Sequence, residues 1–130
     1  MKRGDLFLAD LDPAKGSEQK GQRPVIILQN DFITLHTNTV IIIPITTNLK
    51  RSKLKSCVLL DQLSTGLAQD SVALCHQMRV IDKSRLITRI GDLSNKQIDE
   101  IEDCLLYTLG IILWSIYLFY HLLGVTYETT

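Results

Sequence analysis

The chain reads as a mainly β domain, a small barrel or sandwich of short strands followed by one C-terminal helix. Seven short, β-prone apolar runs fall within the first hundred residues, separated by segments rich in Gly, Pro, Asn, Asp and Lys. Nothing with the length and period of a crossover helix lies between consecutive runs, which sets aside a doubly wound parallel sheet. Only beyond residue 93 does the apolar spacing lengthen to three and four, the period of a helix.

The first run is residues 6–11 and the second residues 25–28, which begins directly after an Arg23-Pro24 step. Proline biases the residue before it toward extended backbone, so the Arg23 guanidinium leaves from a stiff element. Between these two runs lies a polar loop bracketed by Gly16 and Gly21. A fixed cation beside a backbone-rich polar loop is an arrangement suited to phosphate. The third run, residues 39–46, holds the most hydrophobic stretch, Val40-Ile41-Ile42-Ile43, interrupted by Pro44. Proline offers no N–H to a ladder, so this strand is expected to bend, bulge or lie at an edge there. Residues 56–60, 71–74, 78–81 and 86–90 complete the set.

Ser94 then stands as an N-cap with Gln97 three residues on, the spacing of a capping box. Ile98, Ile101, Leu105 and Leu109 recur at helical spacing, while Asp99, Glu100, Glu102 and Asp103 occupy the solvent side near the helix start. The apolar face is expected to pack on the strands.

A chain of 130 residues suits one domain with a core that needs no covalent staples. Cys57, Cys75 and Cys104 are odd in number, widely spaced and without metal-ligand spacing, which favours ordinary burial in a reducing compartment. Asp5, Asp10 and Asp12 break up the start of the chain, so it holds no apolar signal core and a cytoplasmic location is expected. Formal charge is zero, but residues 1–95 carry thirteen Lys and Arg against nine Asp and Glu, whereas residues 96–130 carry one against five. That asymmetry permits a basic face on the strand region while excluding a broad nonspecific coat for nucleic acid. Phe7 and Phe32 are the only aromatic residues before residue 107, so an extended base-stacking platform is not available.

Three ordered motifs carry a resemblance. Arg3-Gly4-Asp5, Asp12-Pro13, Gly16-Ser17-Glu18-Gln19, Gly21 and Arg23-Pro24 form the first; Pro44-Ile45-Thr46-Thr47 the second; Asp70-Ser71-Val72-Ala73-Leu74 with Gln77, Arg79 and Ile81-Asp82 the third. Together they resemble the MazF/PemK/Kid family of bacterial toxins, over roughly residues 2–112. The resemblance implies an SH3-like barrel with a C-terminal helix, commonly a homodimer. It also implies a metal-independent, sequence-specific endoribonuclease that cuts single-stranded RNA, leaving a 2′,3′-cyclic phosphate and a 5′-hydroxyl. No metal or organic cofactor is expected, and a MazE-like antitoxin whose disordered acidic segment folds over the basic groove is the implied partner.

On that resemblance Arg23 is a catalytic residue and Thr46 its partner. Cleavage by the ribose 2′-oxygen builds negative charge on the phosphorane, which a planar, permanently charged guanidinium is suited to meet. Without the motif, Thr46 and Thr47 read equally well as simple β-formers. His76 is a further catalytic candidate, because imidazole titrates in the physiological range; a surface or interface histidine is the other reading. Family members often carry an acidic residue at this place, and one relative uses a histidine in the first loop with an arginine–aspartate pair on the later strand. Here those places hold Ser17, Leu74 and His76, a departure from that relay. Ser17, Glu18, Gln19, Thr47, Lys53 and Gln77 are the expected RNA contacts. Lys53 belongs to a basic run, residues 50–55, that reads either as a grip on the RNA backbone or as a solvated loop.

Residues 104–127 contain no Asp, Glu, Lys or Arg, and residues 113–130 extend past the part the resemblance covers. The expected division is therefore an endoribonuclease domain over residues 1–112 and an apolar extension over 113–130. About 20 apolar residues suffice to span a bilayer, so one reading of residues 104–125 is an anchor holding the domain on the cytoplasmic face of the inner membrane. The others are a helix buried in an oligomer interface and an aggregation-prone tail with no specific role.

Overall fold

The computed structural model describes residues 1–111 and 121–124. Among the described residues seven strands form in chain order: β1 (Asp5–Asp10), β2 (Gln22–Ile27), β3 (Thr39–Thr46), β4 (Cys57–Leu60), β5 (Ser71–Leu74), β6 (Arg79–Asp82) and β7 (Leu86–Asp92). Two short helices, α1 (Asp31–His36) and α2 (Gln62–Thr65), sit between strands, and α3 (Asn95–Leu109) follows the last. Every ladder is antiparallel, in the order β4-β5-β3-β2-β1-β7, with β6 also on β3. The path ends at β4 and β7 and does not close into a ring, so the small barrel is open.

The continuous apolar runs of β2 and β3 follow from burial on both faces. Alternate side chains of a strand point to opposite sides, and here the two sets enter different cores. Leu6, Ile26, Ile43 and Ile45 join Ile101 and Cys104 of α3, whereas Val25, Ile27, Val40 and Ile42 join Ala9, Leu11 and Ile81. Pro44 falls where β3 changes partners on one side. Residues Thr39 to Ile42 pair with β6, and Ile45 and Thr46 pair with β5, so the missing N–H sits in the gap between the two ladders.

The capping box of α3 forms as its sequence predicts: Gln97 N–H donates to Ser94 Oγ at 3.2 Å and Ser94 N–H to Gln97 Oε1 at 2.9 Å. Ile101 is fully buried and Ile98 and Leu105 pack against the same core, but Leu109 is exposed, a correction to the expected apolar face. Gly110 ends the helix at φ +69°, where Ile111 N–H donates to Leu106 O at 2.9 Å. A left-handed residue with that backward bond satisfies the last carbonyls and stops the helix. Residues 112–120 and 125–130 lie outside the described part, and with them most of the apolar extension and nearly half of the proposed span. Among the described residues no helix is long and apolar enough to cross a membrane.

The Arg3-Gly4-Asp5 motif has structural work. Arg3 Nε donates to Leu28 O at 3.0 Å, Gly4 N–H to Ile27 O at 2.7 Å, and the buried Asp5 carboxylate accepts from Lys2 N–H and from Arg89. All three cysteines are free and buried. Burial pushes the thiols of Cys57 and Cys75 up, which keeps them protonated and unreactive at neutral pH.

Gly91 of β7 is crossed so closely by the α2 turn that a Cβ there would lie 2.1 Å from Thr65 O. Backbone cannot yield as a side chain does. Gly91→Ala is therefore expected to lower stability by about 1–3 kcal/mol, read as a lower denaturant midpoint with unchanged slope; an unchanged midpoint would show that the crossing can relax.

Candidate functional site

The β1–β2 loop forms one wall of the site. Its base is closed by Leu11 N–H donating to Gly21 O at 2.9 Å and Gly21 N–H to Asp12 Oδ1 at 3.0 Å. Gly21 sits at φ +75°, a backbone state that a side chain would strain. The loop tip is fastened from 58 residues away, where Gln77 Oε1 accepts from Gln19 N–H at 2.9 Å. Gln77 Nε2 also donates to Ser17 O at 3.3 Å, so one amide grips the backbone on both sides of Glu18.

Beneath this loop is a cavity of about 710 Å³, lined by Ser17, Glu18 and Gln19, by Arg51 from the 3₁₀ turn Leu49–Lys53, and by His76, Gln77, Met78 and Arg79 at the start of β6. Glu18 supplies its single carboxylate and Arg51 and Arg79 two guanidiniums. Arg79 Nη1 lies 3.9 Å from Glu18 Oε2, too far for a hydrogen bond, and among the described residues this buried nitrogen has no hydrogen-bond partner. His76 is exposed, with Nδ1 3.1 Å from Ser56 Oγ, a contact that orients the ring.

Arg23 and Thr46 stand on neighbouring strands. The β2–β3 ladder pairs Val25 with Pro44, Ile26 with Ile43 and Ile27 with Ile42. Strand alternation puts Arg23 on the face of Val25 and Ile27 and Thr46 on that of Val40 and Ile42, beyond the end of this ladder. Arg23 Nε donates to Lys20 O at 3.1 Å, tying the guanidinium to the end of the loop. Thr46 is nearly buried, and its Oγ1 accepts from Asn48 N–H at 3.3 Å.

Of the residues singled out from sequence, Ser17, Glu18, Gln19, His76 and Gln77 thus share one cavity. Arg23, Thr46, Thr47 and Lys53 are not among its lining residues; Thr47 and Lys53 are exposed on the segment that follows β3. Arg51, read as part of the basic run, Arg79, read as part of the third motif, and Met78 complete the lining, and none of the three was an expected contact by itself. Arg79 had a local signal, a charged residue two places after Gln77 in a strand whose neighbours are apolar.

The Gln77 grip has a measurable consequence. Two neutral hydrogen bonds contribute about 0.5–1.5 kcal/mol each, so Gln77→Ala is expected to raise the open population of the loop by about tenfold. Trypsin cutting at Lys15 or Lys20 should accelerate accordingly, and an unchanged rate would show the loop held by other contacts.

A family of PemK-like, MazF-like toxins of type II toxin–antitoxin systems matches residues 2–109. Endoribonuclease EndoA of Bacillus subtilis is 40% identical over 112 residues, covering 86% of this chain and 97% of that protein. Endoribonuclease MazF of Staphylococcus saprophyticus is 40% identical over 111 residues, covering 85% and 92%. Among solved structures, the Mycobacterium tuberculosis toxin MazF-mt6 superposes with a TM-score of 0.72 at 27% identity, covering 84% of this chain and 99% of that one. The fold and these matches define a small β-barrel toxin. The chain belongs to the PemK-like, MazF-like toxin family of type II toxin–antitoxin systems.

Proposed function

We propose that this toxin is an endoribonuclease that cuts single-stranded RNA, mRNA included, at a short recognition sequence without a metal ion, with Arg23 and Thr46 at the reaction centre. The pairing of β2, which carries Arg23, with β3, which carries Thr46, carries the reading, supported by the two 40% identical endoribonucleases. The ribose 2′-oxygen attacks the adjacent phosphorus as its proton leaves. The bond from phosphorus to the 5′-oxygen then breaks as that oxygen takes a proton, giving a 2′,3′-cyclic phosphate and a 5′-hydroxyl. Arg23 meets the charge that gathers on the phosphorane oxygens, and the Thr46 hydroxyl donates to the phosphate or orients the nucleophile. The nucleophile belongs to the substrate, so none has to be generated on a metal.

His76 is the proposed proton carrier. In His76→Gln the pH–rate profile is expected to lose the limb that imidazole supplies, and an unchanged shape would remove it from the reaction. Ser17, Glu18, Gln19, Thr47, Lys53 and Gln77 remain the proposed RNA contacts. The partners we propose are a second copy of the chain and a MazE-like antitoxin; a solved Deinococcus radiodurans MazE–MazF structure shares this fold. Its site of action is the cytoplasm.

Incubation with mixed-sequence RNA in excess chelator tests the function. Discrete fragments ending in a cyclic phosphate are expected. Intact RNA would leave a barrel that binds without cutting.

A further inference from the structure

We infer that Arg79 is an anchor for a backbone phosphate flanking the cut, a role that rests on the RNA-cleaving reading above. A guanidinium carries five donors, and one of the Arg79 terminal nitrogens is buried with no acceptor among the described residues. Buried polar groups are almost always satisfied, so an orphan at the edge of a cavity points to a missing acceptor. The nearest carboxylate oxygen, on Glu18, stays 3.9 Å away on an exposed side chain. It neutralises Arg79 partly without bonding to it.

The surroundings select phosphate over a base. Arg51 lines the same cavity, so two guanidiniums face one carboxylate. No Phe, Tyr or Trp lines it, so the only aromatic ring among its lining residues is His76. The Gln77 amide, which also suits a base edge, spends one acceptor and one donor on the backbone of Gln19 and Ser17 and keeps the rest for RNA. A phosphate oxygen meets a guanidinium with a short, charge-assisted bond, the acceptor that Nη1 lacks. Because neither Arg23 nor Thr46 lines this cavity, the phosphate held here is a neighbour of the scissile one.

The test uses the full chain and an RNA oligonucleotide bearing the mapped cut sequence with a 2′-deoxyribose at the cut, so that it binds without reacting. Arg79→Gln is expected to weaken binding about tenfold and to lower the slope of log affinity against log salt by about 0.7, the value for one phosphate contact on a single strand. On cleavable RNA its KM should rise with kcat nearly unchanged, and the cut sequence should stay the same. Arg79→Lys, which keeps charge and loses the fork, should retain the salt slope with weaker affinity. It also serves as the readout if Arg79→Gln fails to fold. A folded Arg79→Gln protein with wild-type affinity and slope, a fall in kcat without a change in binding, or Arg79→Lys with wild-type affinity overturns the anchor alone. Wild-type protein that neither binds nor cuts RNA would instead sink the nuclease reading and this inference with it.

Discussion

Arg23→Ala is expected to slow RNA cleavage by on the order of 10²-fold or more, because losing one preorganised donor to transition-state charge typically costs that much. The fold should survive. Arg23 lies at the start of β2, half-buried, and among the described residues its side chain makes one hydrogen bond, from Nε to Lys20 O, a contribution of about 1 kcal/mol. Arg23→Lys separates charge from geometry: an ammonium keeps the positive charge but cannot bind two phosphate oxygens in one plane, so most of the loss should persist. Single-turnover cleavage alongside thermal unfolding measures both. A folded Arg23→Ala protein that cuts at near the wild-type rate would remove the arginine from the reaction and, with it, the meaning given to its place on the strand beside that of Thr46.

Ile26→Ala is expected to destabilise the domain by about 2–5 kcal/mol, the usual range for emptying a fully buried isoleucine site. Ile26 has no exposed surface and is paired with Leu6 on one side and Ile43 on the other. That row of three strands lies in the same core as Ile101 of α3, so little around it can collapse into the void. Total stability of a domain is about 5–15 kcal/mol, which makes this a large fraction. Denaturant unfolding of Ile26→Ala measures it directly, and a loss below about 1 kcal/mol would mean the sheet and helix close over the cavity.

All seven strands were legible because each is an apolar run framed by turn residues. Helix α3 was legible because Ser94 and Gln97 write its start. The edges were less so. β2 begins at Gln22, earlier than its apolar run, because Gln22, Arg23 and Pro24 pair with Asp10, Ala9 and Leu8 of β1. Helices α1 and α2 are too short to show a period, although Asn30 and Asp61 cap them with side-chain acceptors.

The site divides along the same line. The loop from Gly16 to Gly21 and the pair His76 and Gln77 carried motif signals, and they meet. Arg79 carried a motif signal and Arg51 lay in the basic run, but that they would join this loop depends on long-range pairing of β6 with β3, which no local pattern encodes. The Gln77 side chain, expected at RNA, grips backbone, and only the folded chain reveals which of its possible acceptors and donors it finds.

β1 lies between β2 and β7, and its Asp5 meets an arginine 84 residues further along. During synthesis the first strand therefore waits, bonded along one edge only, until nearly the whole domain has emerged. Contacts of such long sequence separation form late because the chain must first be closed over that distance. A chain ended ahead of β7 contains Arg23 and Thr46 but lacks the strand that closes the free edge of β1.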